Sequence, residues 1–294
     1  MDRTVEWFTR NGERAGNVLV YSSAYLAVIA MAEVAIAMTL LSLEPSLAPV
    51  VVGLVTFAVY TNDRVADVET DAVSDPERSA FVRRHRNVLY VLASVSYGLA
   101  VAISVLGGIA AFAVTLLPGA FWVAYAADWM PDIGSRIRRL KDVLVVNSAV
   151  VALAWAITLT ALPVAFADAS VTPATLAVFA YFFLRSFVDT EIPNVGDIEA
   201  DRAIDVATLP VKFGVPATRR ALYGVDLLTA AVVGVAAYTG HFSVVLTATL
   251  GLGLCYSLVV TGLLGRVDND LLSLASECEY VVVVGAILCS VAIV

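Results

Sequence analysis

The chain is poor in the residues that build zinc centres, disulfide frameworks and nucleic-acid surfaces. Of its 294 residues, three are cysteine (Cys255, Cys278 and Cys289, with no CxxC spacing) and two are histidine (His85 and His241). That inventory excludes a clustered Cys/His metal centre and a disulfide-stapled fold. Lysine is scarce as well: Lys141 and Lys212 are the only two among 18 basic residues, against 26 acidic ones, for a formal net charge of -8. A surface of that sign argues against nucleic acid as a partner and suits a protein kept dispersed at very high salt. Charge of either sign is thin, at 15% of residues, where a soluble domain carries about 25%. The start, MDRTVEWFTRNGERAGN, lacks the short basic region and short apolar core of a signal peptide, so no cleaved leader is expected.

What the chain has instead is apolar length. It is 60% hydrophobic with a mean hydropathy of +0.86, and crossing a hydrocarbon layer of roughly 30 Å takes about 20 helical residues. Polar breaks divide it into nine apolar segments, at about 18–43, 47–61, 88–106, 109–127, 143–164, 173–188, 220–239, 242–264 and 279–294. Lipid offers no partner for open backbone groups, so these segments are expected to be helices. The expected fold is all-α: a polytopic membrane protein of about nine transmembrane helices in one bundle with a polar cap on its cytoplasmic side. A single domain spans 1–294, with pseudo-repeat halves at about 18–142 and 143–264 and a last helix at 279–294. All 18 Lys and Arg residues fall at alternate breaks or their edges, while the intervening links carry none. By the positive-inside rule this puts the N-terminus and the basic breaks in the cytoplasm, with the protein in the plasma membrane.

The acids are concentrated at two such breaks. Asp63, Asp67 and Asp71 follow one another at steps of four, and so do Asp197, Asp201 and Asp205. Residues four apart share a helix face, where like charges repel and call for a cation. A single pair of this kind is ordinarily solvated surface. Two such ladders, separated by four crossings and so at one face of the bundle, form a candidate site. Mg²⁺ suits it, because that ion takes carboxylate oxygens, keeps waters and fills its remaining positions with substrate phosphate. Arg78, Lys141 and Arg202 supply positive charge beside the ladders. Acid, base and metal at the rim of a greasy bundle fit a diphosphate on a hydrocarbon tail.

NDRVADVETD, from Asn62 to Asp71, resembles the first aspartate-rich motif of the UbiA superfamily of intramembrane prenyltransferases. GDIEADRAIDVATLPVKFG, from Gly196 to Gly214, resembles the second motif region, and RLKDVLVVNS, from Arg139 to Ser148, is similar to the family's basic loop. The resemblance implies metal-bridged diphosphate binding by Asn62, Asp63, Asp67 and Asp71 and by Asp197 and Asp201. It implies a diphosphate-binding lysine at Lys141, and it implies transfer of a prenyl group from an isoprenyl diphosphate to a lipophilic acceptor in the lipid bilayer. Asn194 stands where many members have aspartate, and AVSDPERSAFVRRH, which contains Arg78, replaces an RPL-like stretch. The expected machinery is Asp63, Asp67, Asp197, Asp201 and Lys141 in catalysis, and Asn62, Arg78, Asn194 and Arg202 on the substrate. The metal ligands are Asp63, Asp67, Asp71, Asp197 and Asp201. Two rival readings follow from the same residues: a cyclase that ionises a prenyl diphosphate without an acceptor, and an ion or proton transporter, since acids at membrane depth commonly mark ion paths.

Overall fold

Small polar residues and prolines set the starts of the helices. The Thr172 hydroxyl and Thr175 form a reciprocal capping box ahead of Pro173. Asp75 accepts a hydrogen bond from the Arg78 N–H at 2.9 Å, ahead of Pro76, and Ser243 accepts one from the Leu246 N–H at 3.2 Å. Each satisfies or removes an N–H that the first helical turn leaves without a partner. The computed structural model describes residues 16–126, 146–203 and 206–293. Its helices are α1 (Ala24–Leu40), α2 (Ala48–Ala66), α3 (Val68–Asp71), α4 (Pro76–Ser104), α5 (Gly108–Ala126), α6 (Val146–Phe166), α7 (Pro173–Asn194), α8 (Ile198–Ala203), α9 (Leu209–Phe213), α10 (Val215–Tyr238), α11 (Val244–Leu263) and α12 (Asn269–Ile293). The described residues contain no strand.

Among the described residues, nine long helices form a closed ring. α1 packs on α2, α2 on α4, and so on through α5, α6, α7, α10 and α11 to α12, which returns to α1. Buried apolar residues from the ring make one large core, including Val34, Val52, Leu159, Phe182, Leu250 and Tyr280. A second core joins Val188 and Ile192 of α7 to Leu222, Val260 and Leu272 at one end of the bundle. Large apolar side chains also point outward, among them Val95, Leu99, Leu227, Val259 and Leu288, as a lipid-facing surface requires. Five helical stretches among the described residues are long and apolar enough to cross a bilayer: 76–123, 148–166, 215–238, 244–263 and 269–290. α1 is apolar but shorter, and α2 and α7 carry charged residues toward their ends. The chain is a multi-pass membrane protein.

Several helices run beyond the bounds that hydropathy sets. α2 continues to Ala66 rather than ending near 61, α4 begins at Pro76 rather than 88, α7 reaches Asn194, and α12 begins at Asn269 rather than 279. A hydropathy window stops at the first charges, whereas a helix continues as long as its backbone bonds are made and its charged turns find polar surroundings. The link expected between 164 and 173 is likewise shorter, because α6 runs on to Phe166.

α11 and α12 meet at Gly253. A Cβ there would lie 2.6 Å from Val283 Cγ2 and 3.2 Å from Glu279 Oε1. Gly253→Ala is therefore expected to force the two helices apart, at about 1–3 kcal/mol for an overpacked contact. The check is a lower unfolding temperature for the detergent-solubilised variant.

Candidate active site

The first aspartate motif does not stay on one helix. α2 ends at Ala66, Asp67 is the residue between α2 and α3 (φ −95°, ψ 13°), and α3 carries the chain on to Asp71. The i to i+4 backbone bonds persist across the break: Asp67 N–H donates to the Asp63 carbonyl at 2.8 Å, and Asp71 N–H to the Asp67 carbonyl at 2.9 Å. Across this bend Asp63 and Asp71 line a cavity of about 850 Å³, and the charges of Asp63 and Asp67 both act on the Asp71 carboxyl.

The second motif reaches the same cavity from the other side. Asn194 closes α7, and Asp197 precedes α8; both line the cavity with Gly196. Asp201 lies on α8 off the cavity, where it accepts a hydrogen bond from the Thr208 hydroxyl at 3.2 Å. Arg202 is exposed and also off the cavity, as is Asn62, which sits inside α2. Lys141, the basic loop around it, and Asp205 lie outside the described residues. Of the expected site residues, the fold therefore brings Asp63, Asp71, Arg78, Asn194 and Asp197 together.

Arg78 enters from the first turn of α4. Its guanidinium lies 3.4 Å from Asp75 and 3.9 Å from Asp71, and its buried Nε has no hydrogen-bond partner. Burial pushes the Asp71 carboxyl up to about 6, against the pull of Arg78 and Arg64 toward the ionised form. More acid stands at this mouth than the two motifs supply, since Asp75, Glu77, Asp268 and Asp270 also line it. Asn269 belongs to the same lining, and its buried Oδ1 is without a partner.

Asp63 is also held from the apolar side. The Trp122 indole N–H donates to Asp63 Oδ1 at 3.1 Å. Trp122, Phe121 and Pro118 of α5 then line a second, apolar pocket of about 130 Å³ with Val151 and Trp155 of α6 and Tyr60 of α2. Tyr60 and Trp155 stack with ring centroids 5.7 Å apart and border both spaces. Trp122→Phe keeps the ring and removes the donor. A hydrogen bond to a charged group contributes about 1.5–3 kcal/mol, so any turnover that requires Asp63 is expected to fall roughly tenfold or more, with the fold retained by circular dichroism.

A further set of ionisable groups lies within the bundle. Arg185 of α7 is fully buried; it donates to Asp226 of α10 at 2.6 Å and to Glu279 of α12 at 2.5 Å, and lies 3.8 Å from Asp189. The Tyr280 hydroxyl donates to Asp189 at 2.6 Å, and the Ser257 hydroxyl to Asp226 at 3.0 Å. Arg185 is therefore a structural cation inside α7, not the edge-of-membrane orientation signal that its position near a basic break implies. Motif spacing does not point to these residues. The available signal was the presence of Glu33, Arg185 and Asp226 in otherwise apolar stretches.

Among the described residues, no three His, Cys, Asp or Glu side chains converge closely enough to hold a metal ion by themselves. The site presents scattered oxygen donors instead: Asp63, Asp71 and Asp197, with the Asn194 amide. That set suits Mg²⁺, which is ordinarily bound through one or two carboxylates together with waters and substrate phosphates rather than in an all-protein cage.

The model of the UbiA prenyltransferase family matches residues 17–269. The chain belongs to that family. No curated protein matches it. Among solved structures, it is similar to the apo structure of a UbiA homologue from Aeropyrum pernix K1, with TM-score 0.69 and 15% identity over 91% of this chain and 98% of that one. A UbiA homologue from Archaeoglobus fulgidus, bound to DMAPP and Mg²⁺, gives TM-score 0.67 and 13% identity over 95% and 99%. A digeranylgeranylglyceryl phosphate synthase gives TM-score 0.60 and 15% identity over 93% and 97%. At these identities the likeness is one of fold.

Proposed function

We propose that the protein is a Mg²⁺-dependent intramembrane prenyltransferase that moves a prenyl group from an isoprenyl diphosphate to a lipophilic acceptor. The acceptor classes that fit are a quinone precursor, an archaeal-type glycerol lipid and a carotenoid. One observation carries the reading. Two aspartate motifs more than 120 residues apart in sequence face one cavity at the end of an apolar ring, and an apolar pocket adjoins it at Asp63. The family's reaction and the DMAPP- and Mg²⁺-bound relative support the same reading.

Asp63 and Asp71 on one wall and Asp197 with Asn194 on the other hold the metal–diphosphate, and Arg78 holds its phosphate oxygens. Arg202 adds positive charge nearby, and Lys141 keeps the diphosphate-binding role that the family resemblance implies, while Asp67 and Asp201 fix the turns that carry the cavity-facing carboxylates. Bound Mg²⁺ supplies neutralisation of the charge that grows on the leaving diphosphate. Arg78 contributes to the same stabilisation from a fixed position, so no reorganisation is needed as the C–O bond opens. Tyr60, Trp122 and Trp155 exclude water from the apolar side, which protects an allylic cation from hydrolysis. The nine long helices cross the plasma membrane with the N-terminus and the cavity mouth in the cytoplasm, where the positive charges lie.

The test incubates the purified protein with labelled C10 to C20 prenyl diphosphates, with and without Mg²⁺, in the presence of an apolar lipid extract from the source cells. Labelled lipid that requires both the extract and Mg²⁺ is the expected result. Cyclised hydrocarbon formed without the extract would replace transfer by cyclisation at the same site. Ion flux in proteoliposomes without any diphosphate, and no labelled product, would overturn the reading.

A further inference from the structure

Positive charge in the large cavity is confined to the end that carries the aspartate motifs. Among the described residues, its lining holds ten carboxylates and two guanidiniums, those of Arg64 and Arg78. Arg64 is close to the end of α2 and Arg78 close to the start of α4; at 1.5 Å per residue each stands ~3 Å along its helix from that end. Thr56, Glu33, Glu277 and Asp189 line the same space ~15, ~14, ~12 and ~8 Å along theirs. The cavity therefore has a mouth of mixed charge and an inner chamber whose charged groups, among the described residues, are all acids.

Both guanidiniums are engaged where they stand. Arg64 donates to the Ser23 hydroxyl at 2.5 Å, and Arg78 lies 3.4 Å from Asp75 and 3.9 Å from Asp71. The next cation inward, Arg185, is 1% exposed, does not line the cavity, and is held by Asp226 at 2.6 Å and Glu279 at 2.5 Å. On the chamber wall, Asp189 accepts from the Tyr280 hydroxyl at 2.6 Å. No described side chain of the chamber is thus placed to neutralise an anion. An ionised acid repels one, and a protonated acid brings it no counter-charge. A charged group taken out of water without a partner is costly.

The polar contact left open on this wall is a neutral one. Thr56 of α2 is 3% exposed, and its hydroxyl has no hydrogen-bond partner. A buried hydroxyl left unpaired costs free energy, which a bound molecule with an uncharged polar group relieves. The diphosphate is assigned to the mouth, with Asp63, Asp71, Asp197 and Arg78, and the apolar pocket beyond Asp63 receives hydrocarbon. The inner chamber is the space that remains for the acceptor.

We propose that the inner chamber selects the acceptor by charge: the molecule prenylated is an uncharged lipid, and one that carries a carboxylate or a phosphate is refused. This rests on the reading of the cavity as a prenyl-transfer site and narrows it. An uncharged quinone precursor and a carotenoid fit the chamber, and a glycerol lipid fits only without a phosphate. The selection works by exclusion, since the acids raise the energy of the wrong acceptor and no contact has to single out the right one.

The test uses the full chain in nanodiscs of zwitterionic lipid, with Mg²⁺ and labelled C5 to C20 prenyl diphosphates, and reads pyrophosphate and labelled lipid separately. The apolar extract is divided by anion exchange into uncharged and acidic lipids, and each fraction is offered as the acceptor. Labelled product is expected from the uncharged fraction, with about 10²-fold less from the acidic one, the scale of a like-charge contact. Label chiefly in acidic lipid overturns the proposal. 1-Naphthol and 1-hydroxy-2-naphthoate, which differ by one carboxylate, are then compared as competitors of that transfer. The uncharged ring should compete at about 10²-fold lower concentration. Glu277→Lys places a cation on the chamber wall and should narrow this gap about tenfold or more. Thr190→Lys, on the same lining one turn inside the end of α7, carries the comparison if the first variant is not recovered folded. Equal potency of the two rings on the wild type, or an unchanged gap in the folded variant, overturns the proposal. A wild-type protein that releases no pyrophosphate with either fraction would instead overturn the transferase reading itself, before any variant is compared.

Discussion

Asp63→Ala is expected to cut Mg²⁺-dependent pyrophosphate release by about 10²-fold or more, the scale on which loss of one preorganised electrostatic contact acts. Asp63 has the most demanding position of the proposed ligands. It lines both the large cavity and the apolar pocket, and the Trp122 indole holds it at 3.1 Å. A carboxylate so placed meets the diphosphate end of a substrate at the point where its hydrocarbon begins. Asp197→Ala should act on the same scale from the opposite wall. Asp67→Ala and Asp201→Ala should act less, since those side chains lie off the cavity. The assay is a titration of pyrophosphate release against Mg²⁺ for the four variants. Wild-type turnover in both Asp63→Ala and Asp197→Ala would show that the two motifs do not share one metal–diphosphate.

The second large effect is on stability. Arg185→Met should destabilise the protein by about 3–5 kcal/mol, the scale for breaking a buried ion pair by removing one partner. The side chain removed is 1% exposed and sits between Asp226 and Glu279, at 2.6 and 2.5 Å. Methionine fills much of the volume and leaves those carboxylates buried with no cation to offset them. Expression yield and unfolding temperature in detergent are the measurements. Replacing Asp226 and Glu279 by asparagine and glutamine in the same chain should recover a large part of the loss, because the excess charge goes with its partner. An Arg185→Met variant as stable as wild type would mean that the acids of the bundle are held by something other than this arginine.

Much of the architecture was legible because lipid simplifies the physics. Long apolar segments must be helices, so α1, α5, α6 and α11 follow almost directly from hydropathy. Helix ends were less legible, because the charges of Pro76–Arg86 and Asn269–Glu279 belong to helices that continue into a polar cavity. A hydropathy boundary at 279 left Glu277 in a loop, whereas it faces the cavity from inside α12. The aspartate motifs pointed to residues that share one space, since Asp63, Asp71 and Asp197 line the same cavity. Their period did not anticipate the bend at Asp67, which depends on how α3 and α4 pack through Val65, Val68, Val82 and Leu89. Glu33 and Asp226 belong to no motif and lie far apart in the chain. The closure of α12 against α1 and the packing of α10 on α7 bring their helices into one ring.

The arginine shared by several acids also constrains how this sequence can drift. Exchanging Arg185 alone strands its partners, and exchanging one partner alone shifts the balance for the rest, so neutral change at these positions has to be concerted. Proteins descended from a common ancestor with this chamber should keep the whole set or have traded it together, which makes its joint presence a marker for sorting relatives that the aspartate motifs by themselves do not distinguish.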